Sequence, residues 1–296
     1  MARLSARLSE NVAGDFFVDA ACIDCETCRI LAPRVFERSD ELGLSVVRRQ
    51  PASAEDALRA KMAIVSCPTS AIGSVSKVDI TEAIDALPER IDHGVYYCGY
   101  ASESSFGASS YLVRRQGGNV LVDSPRAARP LMDRLDALGG VETMFLSHRD
   151  DVADHAKYAR RFGCERILHA RDVGAGTRDV ERRIEGDASV RLGAGLLAIP
   201  VPGHTRGSMA LLVESRFLFT GDHLWGSEDG QRLEAGRGVC WYSWAEQTRS
   251  MEKLLAYDFE WVLPGHGPRF HAPAAKMRGA LESLIQRMSG DDLGRG

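Results

Sequence analysis

Four short apolar runs in this chain each stop at a histidine, an aspartate or both, and that repetition limits the folds open to it. The run Met144 to Leu146 leads through Ser147 into His148, Asp150, Asp151, Asp154 and His155, and then into a helical pattern closed by Gly163. The run from Leu196 to Val201 leads into Pro202-Gly203-His204-Thr205, and Phe217 to Phe219 leads into Thr220-Gly221-Asp222-His223. Trp261-Val262 leads into Leu263-Pro264-Gly265-His266-Gly267. Strand ends along one edge of a sheet are where a rigid scaffold holds short loops, and so where sites are assembled. Imidazole and carboxylate gathered there form the ligand set of a divalent metal that does hydrolytic or redox chemistry. A polar strand-to-helix loop with Asp as cap accounts for the first cluster alone. It does not account for all four.

The cysteines carry a second, independent pattern. Cys22, Cys25 and Cys28 stand at C-x2-C-x2-C, and Cys67 follows at a distance with Pro68 directly after it. Such spacing curls the backbone so that three thiolates face one point, with backbone N–H groups left to bond the sulfurs. A zinc site also accepts four cysteines, but three at successive x2 spacing plus a distant Cys-Pro is an iron–sulfur pattern. The other three cysteines, Cys98, Cys164 and Cys240, read as small buried hydrophobes.

Composition excludes several classes. The chain has 296 residues with 44% apolar and 26% charged content, ordinary for a globular protein of two domains or one large core with an appendage. A net charge of −4 without a basic stripe argues against nucleic acid as a partner. No apolar run approaches the ~18 residues of a spanning helix, so no membrane partner is expected. Residues 1 to 14 lack the apolar core of a secretory signal, so a cytoplasmic chain is expected, with its thiols used as metal ligands, catalytic groups or buried side chains rather than disulfides.

Residues 15 to 73 resemble the single-cluster bacterial ferredoxins, with Asp19 before the first cysteine, Pro33 after the third and the tail Cys67-Pro68-Thr69-Ser70-Ala71-Ile72. The resemblance implies one [4Fe–4S] cluster on Cys22, Cys25, Cys28 and Cys67, since Cys25 fills the position that is Asp in three-iron relatives. Within this unit the pattern predicts strands at 16–18 and 44–47 and a helix over 54–63 capped by Ser53. The segment from Pro88 to Gly94 reads as a linker, giving a ferredoxin-like domain over 1–90 and a second domain over 91–296.

In the second domain, strands at 111–113 and 120–122 are joined through Gly117-Gly118-Asn119, and a helix is expected from Ser124, as cap, to Leu138. A short helix is expected between 171 and 187, and a last one from Pro273 to near Met288. From about 95 to 270 the four clusters, in this order, resemble the metallo-β-lactamase fold hydrolases, whose pattern is H-x-H-x-D-H, P-G-H, G-D and P-G-H. The resemblance implies an αββα sandwich, with Asp154 and His155 as the D-H pair, His204 and His266 as later ligands, and Asp222 bridging two metals.

The first motif departs from the family. Anchored at His148, it puts Asp150 where the second His should be, and two added residues, about 7 Å of chain, precede Asp154. The first metal is then held by His148, Asp150 and His204, a harder set that favours iron or manganese over zinc; otherwise the site holds a single metal. Flavodiiron proteins of the same fold also carry a carboxylate at that position, although theirs is Glu, without the insertion. Only thirty residues follow His266, too few for the helical domain with which glyoxalase II holds its thioester, so that substrate is disfavoured.

The leading expectation is a ferredoxin-like module followed by a metal-dependent hydrolase acting on a small ester, lactone or thioester-like substrate, with Asp154 as ligand and proton acceptor. The alternative is a diiron oxidoreductase fed by the cluster, with a redox partner protein. A third possibility is a redox sensor whose metal site has decayed.

Overall fold

The computed structural model describes residues 2–293, with side chains to residue 290. The chain forms two compact units, Met1–Glu142 with Ala153–Cys164, and Thr143–Val152 with Glu165–Gly296. Among the described residues, no helix is long and apolar enough to cross a membrane.

In the first unit, Phe16–Val18 pairs antiparallel with Ile72–Ser74, and Phe36–Arg38 with Ser45–Val47. The helix Ala54–Ser66 begins where the sequence predicts, with the Ser53 hydroxyl accepting the Asp56 N–H at 3.1 Å. It runs one turn further than expected and delivers Cys67 directly at its end. A four-stranded antiparallel meander follows, Glu89–Asp92, Val95–Tyr97, Tyr111–Val113 and Val120–Val122. The segment read as a linker is therefore a hairpin, turning at His93 and Gly94, both with positive φ.

The helix expected from Ser124 starts only at Arg129. Pro130 sits in its first turn, where its missing N–H costs nothing, and residues 125–128 stay outside the helix. The Ser124 hydroxyl donates to Pro125 O rather than capping. The helix His155–Phe162 ends at Gly163 in the left-handed conformation, as its sequence predicts.

In the second unit, Thr143–Phe145, Glu165–His169 and Arg182–Ile184 run parallel. The helix expected between 171 and 187 is reduced to two 3₁₀ turns, Ala170–Asp172 and Ala175–Thr177. The other sheet has the order Val190–Gly193, Leu196–Pro200, Met209–Val213, Phe217–Gly221, Trp261–Pro264, Phe270–His271. All neighbours are antiparallel except Phe217–Gly221 and Trp261–Pro264, which the helix Trp244–Leu254 connects as a parallel pair.

One face of this sheet, through Ile199, Leu212, Leu218 and Val262, packs on Met251 and Leu254 of that helix and on Met277, Leu281 and Met288 of the last helix, Ala274–Leu293. Burying each such side chain contributes about 1.5–3 kcal/mol. That rigid backing holds the strand ends on which the polar clusters sit.

Candidate metal centre and cysteine site

Strand register assembles the metal centre. The parallel pairing Phe219↔Leu263 and Gly221↔Pro264 sets Asp222 beside Gly265 and His266, and the Gly265 N–H donates to Gly221 O at 2.9 Å. Gly221 lies against Ser147, and a Cβ there would stand 2.5 Å from the Ser147 hydroxyl, which brings His148 to the same place. The Met209 N–H donates to Ser147 O at 2.8 Å, tying the His148 loop to the sheet just beyond His204.

The result is a convergence on one carboxylate oxygen. Asp222 Oδ2 lies 3.6 Å from His148 Nε2, 3.6 Å from His204 Nε2 and 3.8 Å from His266 Nε2. Asp150 Oδ2 lies 3.8 Å from His148 Nε2 and 3.6 Å from His204 Nε2. These separations are too long for hydrogen bonds. They approach the edge of a tetrahedron around an ion with bonds of about 2.1 Å, which is about 3.4 Å. His148 Nε2, His204 Nε2 and Asp222 Oδ1 are buried without a hydrogen-bond partner, a costly state that an ion at the centre relieves. Two groups have ligand atoms within 4.8 Å of one another: His148 with Asp150 and His204, and His148 with Asp151 and Asp222.

Neighbouring groups fix the imidazoles. His204 Nδ1 donates to Val239 O at 2.6 Å, which leaves its Nε2 lone pair facing the carboxylates, and His148 Nδ1 shares a 2.9 Å hydrogen bond with the Ser147 hydroxyl. Asp172 holds the His204 loop: it accepts from the Thr205 hydroxyl at 2.5 Å, Gly207 N–H at 2.8 Å and Arg149 N–H at 3.1 Å. Burial raises the Asp222 carboxyl, but His266, His148 and His204 outweigh it and hold it below the usual range. Burial lowers the fully buried His148, while at His204 the Asp150 and Asp222 carboxylates overcome burial and raise it.

Sequence reasoning missed Asp172 and Asp151. Asp151 is buried, and its Oδ2 and Asp222 Oδ1 each lie 2.7 Å from where a Cβ on Gly265 would stand. Gly265→Ala should therefore push both carboxylates aside and weaken metal binding roughly 10- to 100-fold, the usual effect of disturbing the support of a ligand. A competition titration against a chelator reads this out, and an unchanged affinity would mean these carboxylates do not share an ion.

Asp154 has other partners. Its Oδ2 accepts the Ala127 N–H at 2.8 Å and its Oδ1 pairs with Lys157 at 2.8 Å. Burial pushes this carboxyl up, but Lys157 and the Ala127 N–H outweigh it, so the group stays below the usual range and is a poor base. His155 is buried at the first position of its helix. His223 is fully buried with no partner on either ring nitrogen, and burial drives it down to about 3, so it is neutral. His169 is structural, bonded to Gly186 O and to the Arg171 N–H. Trp241 and Tyr242 are exposed, their N–H groups donate to His204 O at 3.0 Å, and the Trp241 ring centroid lies 6.2 Å from that of His204.

In the first unit, Cys22, Cys25, Cys28 and Cys67 line a common small cavity with Val18, Ile23 and Ile72. The C-x2-C curl passes through Asp24 and Glu26, both left-handed, and Asp24 is fixed by Arg29 at 2.7 Å and Arg38 at 2.8 Å. The Ala71 N–H donates to Cys67 Sγ at 3.2 Å and the Asp24 N–H to Cys22 Sγ at 3.5 Å, the backbone–sulfur bonds the spacing predicts. Burial pushes the Cys25 thiol up to about 11 and the Cys28 thiol to about 12, so an electropositive centre is needed to hold them as thiolates. Among the described residues, no three of these sulfurs lie within 4.8 Å of one another.

Known proteins resemble the two parts of the chain separately. Residues 18–74 match the 4Fe-4S single cluster domain of ferredoxin I. A 134-residue stretch is 37% identical to a hydroxyacylglutathione hydrolase of Anaeromyxobacter dehalogenans (strain 2CP-C), covering 43% of this chain and 50% of that protein. The chain thus spans about half the length of the curated relative it matches. Solved structures of TMB-1 (18% identity, TM-score 0.52, covering 68% of this chain and 97% of that one) and of the DIM-1 metallo-beta-lactamase (16%, 0.51, 67% and 96%) superpose on it. So does the metallo-beta-lactamase FIM-1 from Pseudomonas aeruginosa in its mono-zinc form (15%, 0.50, 68% and 94%). At these identities the likeness shows the fold alone. A single-cluster ferredoxin domain precedes a chain of metallo-β-lactamase fold.

Proposed function

We propose that this chain is a metal-dependent hydrolase of small esters, lactones or thioesters that also carries one [4Fe–4S] cluster. The observation that carries the reading is the convergence of three imidazoles on Asp222 Oδ2, with three buried ligand atoms lacking hydrogen-bond partners. In this reading His148, Asp150 and His204 would hold one divalent ion, and Asp151, Asp222 and His266 would be available to hold a second. Such ions would supply Lewis acidity towards water and an acyl oxygen.

The protein's part is orientation. Val239 and Ser147 aim the imidazoles, and Asp172 braces the His204 loop. Trp241 and Tyr242, exposed beside His204, give an apolar flank for a substrate. Cys22, Cys25, Cys28 and Cys67 hold the cluster in the module proposed over 1–90, and residues 91–296 carry the hydrolase. Asp154 is left out of this proposed ligand set because its oxygens serve Ala127 and Lys157. The similarity to a hydroxyacylglutathione hydrolase supports thioester chemistry.

A second reading rests on the three carboxylates in the set. Asp150, Asp151 and Asp222 make it harder and more anionic than an all-histidine first site, which suits iron or manganese and a diiron oxidoreductase drawing electrons from the cluster.

One experiment separates the two. The full chain, purified without oxygen, is analysed for metals and assayed for ester, lactone and thioester turnover with and without dithionite. Hydrolysis at the same rate in both, with zinc beyond the cluster iron, is the expected result. Dithionite-dependent oxygen consumption on an iron-filled site without hydrolysis would replace the first reading with the second.

A further inference from the structure

Cys25 has a close neighbour that does not come from the ferredoxin segment. Gly107 lies 33 residues past the end of the matched stretch, at φ +86°, and a Cβ on it would stand 2.5 Å from Cys25 Cβ, 2.9 Å from Cys25 Sγ and 3.4 Å from Pro68 Cγ. Its carbonyl accepts the Thr27 hydroxyl at 3.2 Å, and that hydroxyl lies 3.4 Å from Cys25 Sγ. The far end of the same segment is pinned next to Cys67, where the Ala101 N–H donates to Ser66 O at 3.1 Å. A Cβ on Gly99 would also stand 2.8 Å from the Ser66 hydroxyl oxygen. Between these anchors the segment closes on itself, Gly107 N–H to Ser102 O at 2.8 Å and Ala108 N–H to Ser105 O at 2.9 Å.

We infer that residues 99–107 complete the cluster site, with Gly107 as the backbone wall over Cys25 and Thr27 as the hydroxyl that joins that wall to the sulfur. This rests on the cluster reading of the four cysteines. Three consequences follow from the chemistry. Only glycine fits, because the backbone is left-handed and the neighbouring atoms belong to a ligand that cannot move without leaving its metal. The wall keeps solvent and oxidants from Cys25. The Thr27 hydroxyl carries one proton, and a Cys25 thiolate on iron competes with Gly107 O for it. Charge on the sulfur and the anchoring of the segment are thereby linked through a single hydrogen bond, and hydrogen bonds to ligand sulfurs set a cluster's potential.

The test uses the full chain purified without oxygen and measures iron per chain, visible absorbance, its decay in air and the midpoint potential. Gly107→Ala should retain less than half the cluster iron and bleach at least several-fold faster. Gly118→Ala serves as control: it is also left-handed, at φ +98°, and a Cβ there crowds Glu142 rather than a cysteine, so it carries a similar backbone penalty without touching the site. Thr27→Val should keep the cluster but shift its potential negative, and Thr27→Ser should restore the wild-type value. If Gly107→Ala holds its iron as Gly118→Ala does, and Thr27→Val leaves the potential unmoved, the segment is not part of the site. Zinc in place of iron in the wild-type chain would overturn the cluster reading itself, and this inference with it.

Discussion

The Asp222→Ala chain should retain less than a tenth of the metal bound to the second unit and hydrolyse its substrate on the order of a thousandfold more slowly, about 4 kcal/mol in barrier. The Asp222 carboxylate lies within 3.6–3.8 Å of three imidazole nitrogens, so its loss would affect both candidate ion positions at once. A peripheral ligand could be replaced by water, whereas the loss of Asp222 would remove the negative charge on which the three imidazoles converge. Asp222→Asn should do nearly as badly, because it keeps the shape but loses the charge that offsets the ions. The fold should survive, since without metal the carboxylate is held only by distant imidazoles and its Oδ1 has no hydrogen bond to lose. Metal analysis after dialysis, turnover and a thermal melt check the three parts separately. Full metal content with an unchanged rate would remove Asp222 from the site.

Much of this architecture was legible in the sequence because its signals are local. Ser53 as a cap, Gly163 as a stop and the Val113↔Val120 turn depend on residues a few positions apart, and each appears where the pattern puts it. The strand-end clusters were legible for a related reason: Pro-Gly-His and Gly-Asp follow short apolar runs, and sheet register alone then brings the side chains together. Long-range effects were not legible. Residues 88–94 look like a linker by composition, yet they pair with the strand at 95–97, because a partner nearby in sequence satisfies the backbone better than solvent does. Ser124-Pro125 has the chemistry of a helix start, but Pro130 offers a second one, and the helix begins there. Asp172 carries no motif at all. Only the fold shows that its two oxygens serve Thr205, Gly207 and Arg149.

The first metal motif is where sequence logic and geometry part company, and the pair Asp151→Ala and Asp154→Ala exposes it. Motif spacing selects Asp154, because it precedes a histidine as the family pattern requires. The structure instead brings Asp151 into a group with His148 and Asp222, while both oxygens of Asp154 are taken by Ala127 and Lys157. The two added residues explain the exchange: an insertion ahead of Asp154 gives the chain a closer aspartate that reaches the centre from the strand side, and frees the later one to brace the start of a helix.

Asp151→Ala should therefore lower metal content by about half, the loss of one ion of two, and slow hydrolysis at least a hundredfold, about 2.7 kcal/mol. Asp154→Ala should leave metal content near wild type. Its effect falls instead on stability, where losing a part-buried bond to the Ala127 N–H costs on the order of 1–2 kcal/mol, seen as a lower melting temperature. The double variant should show both effects together, lower metal content and a lower melting temperature. The opposite pattern, metal lost with Asp154→Ala and retained with Asp151→Ala, would restore the family spacing and make Asp151 a loop residue.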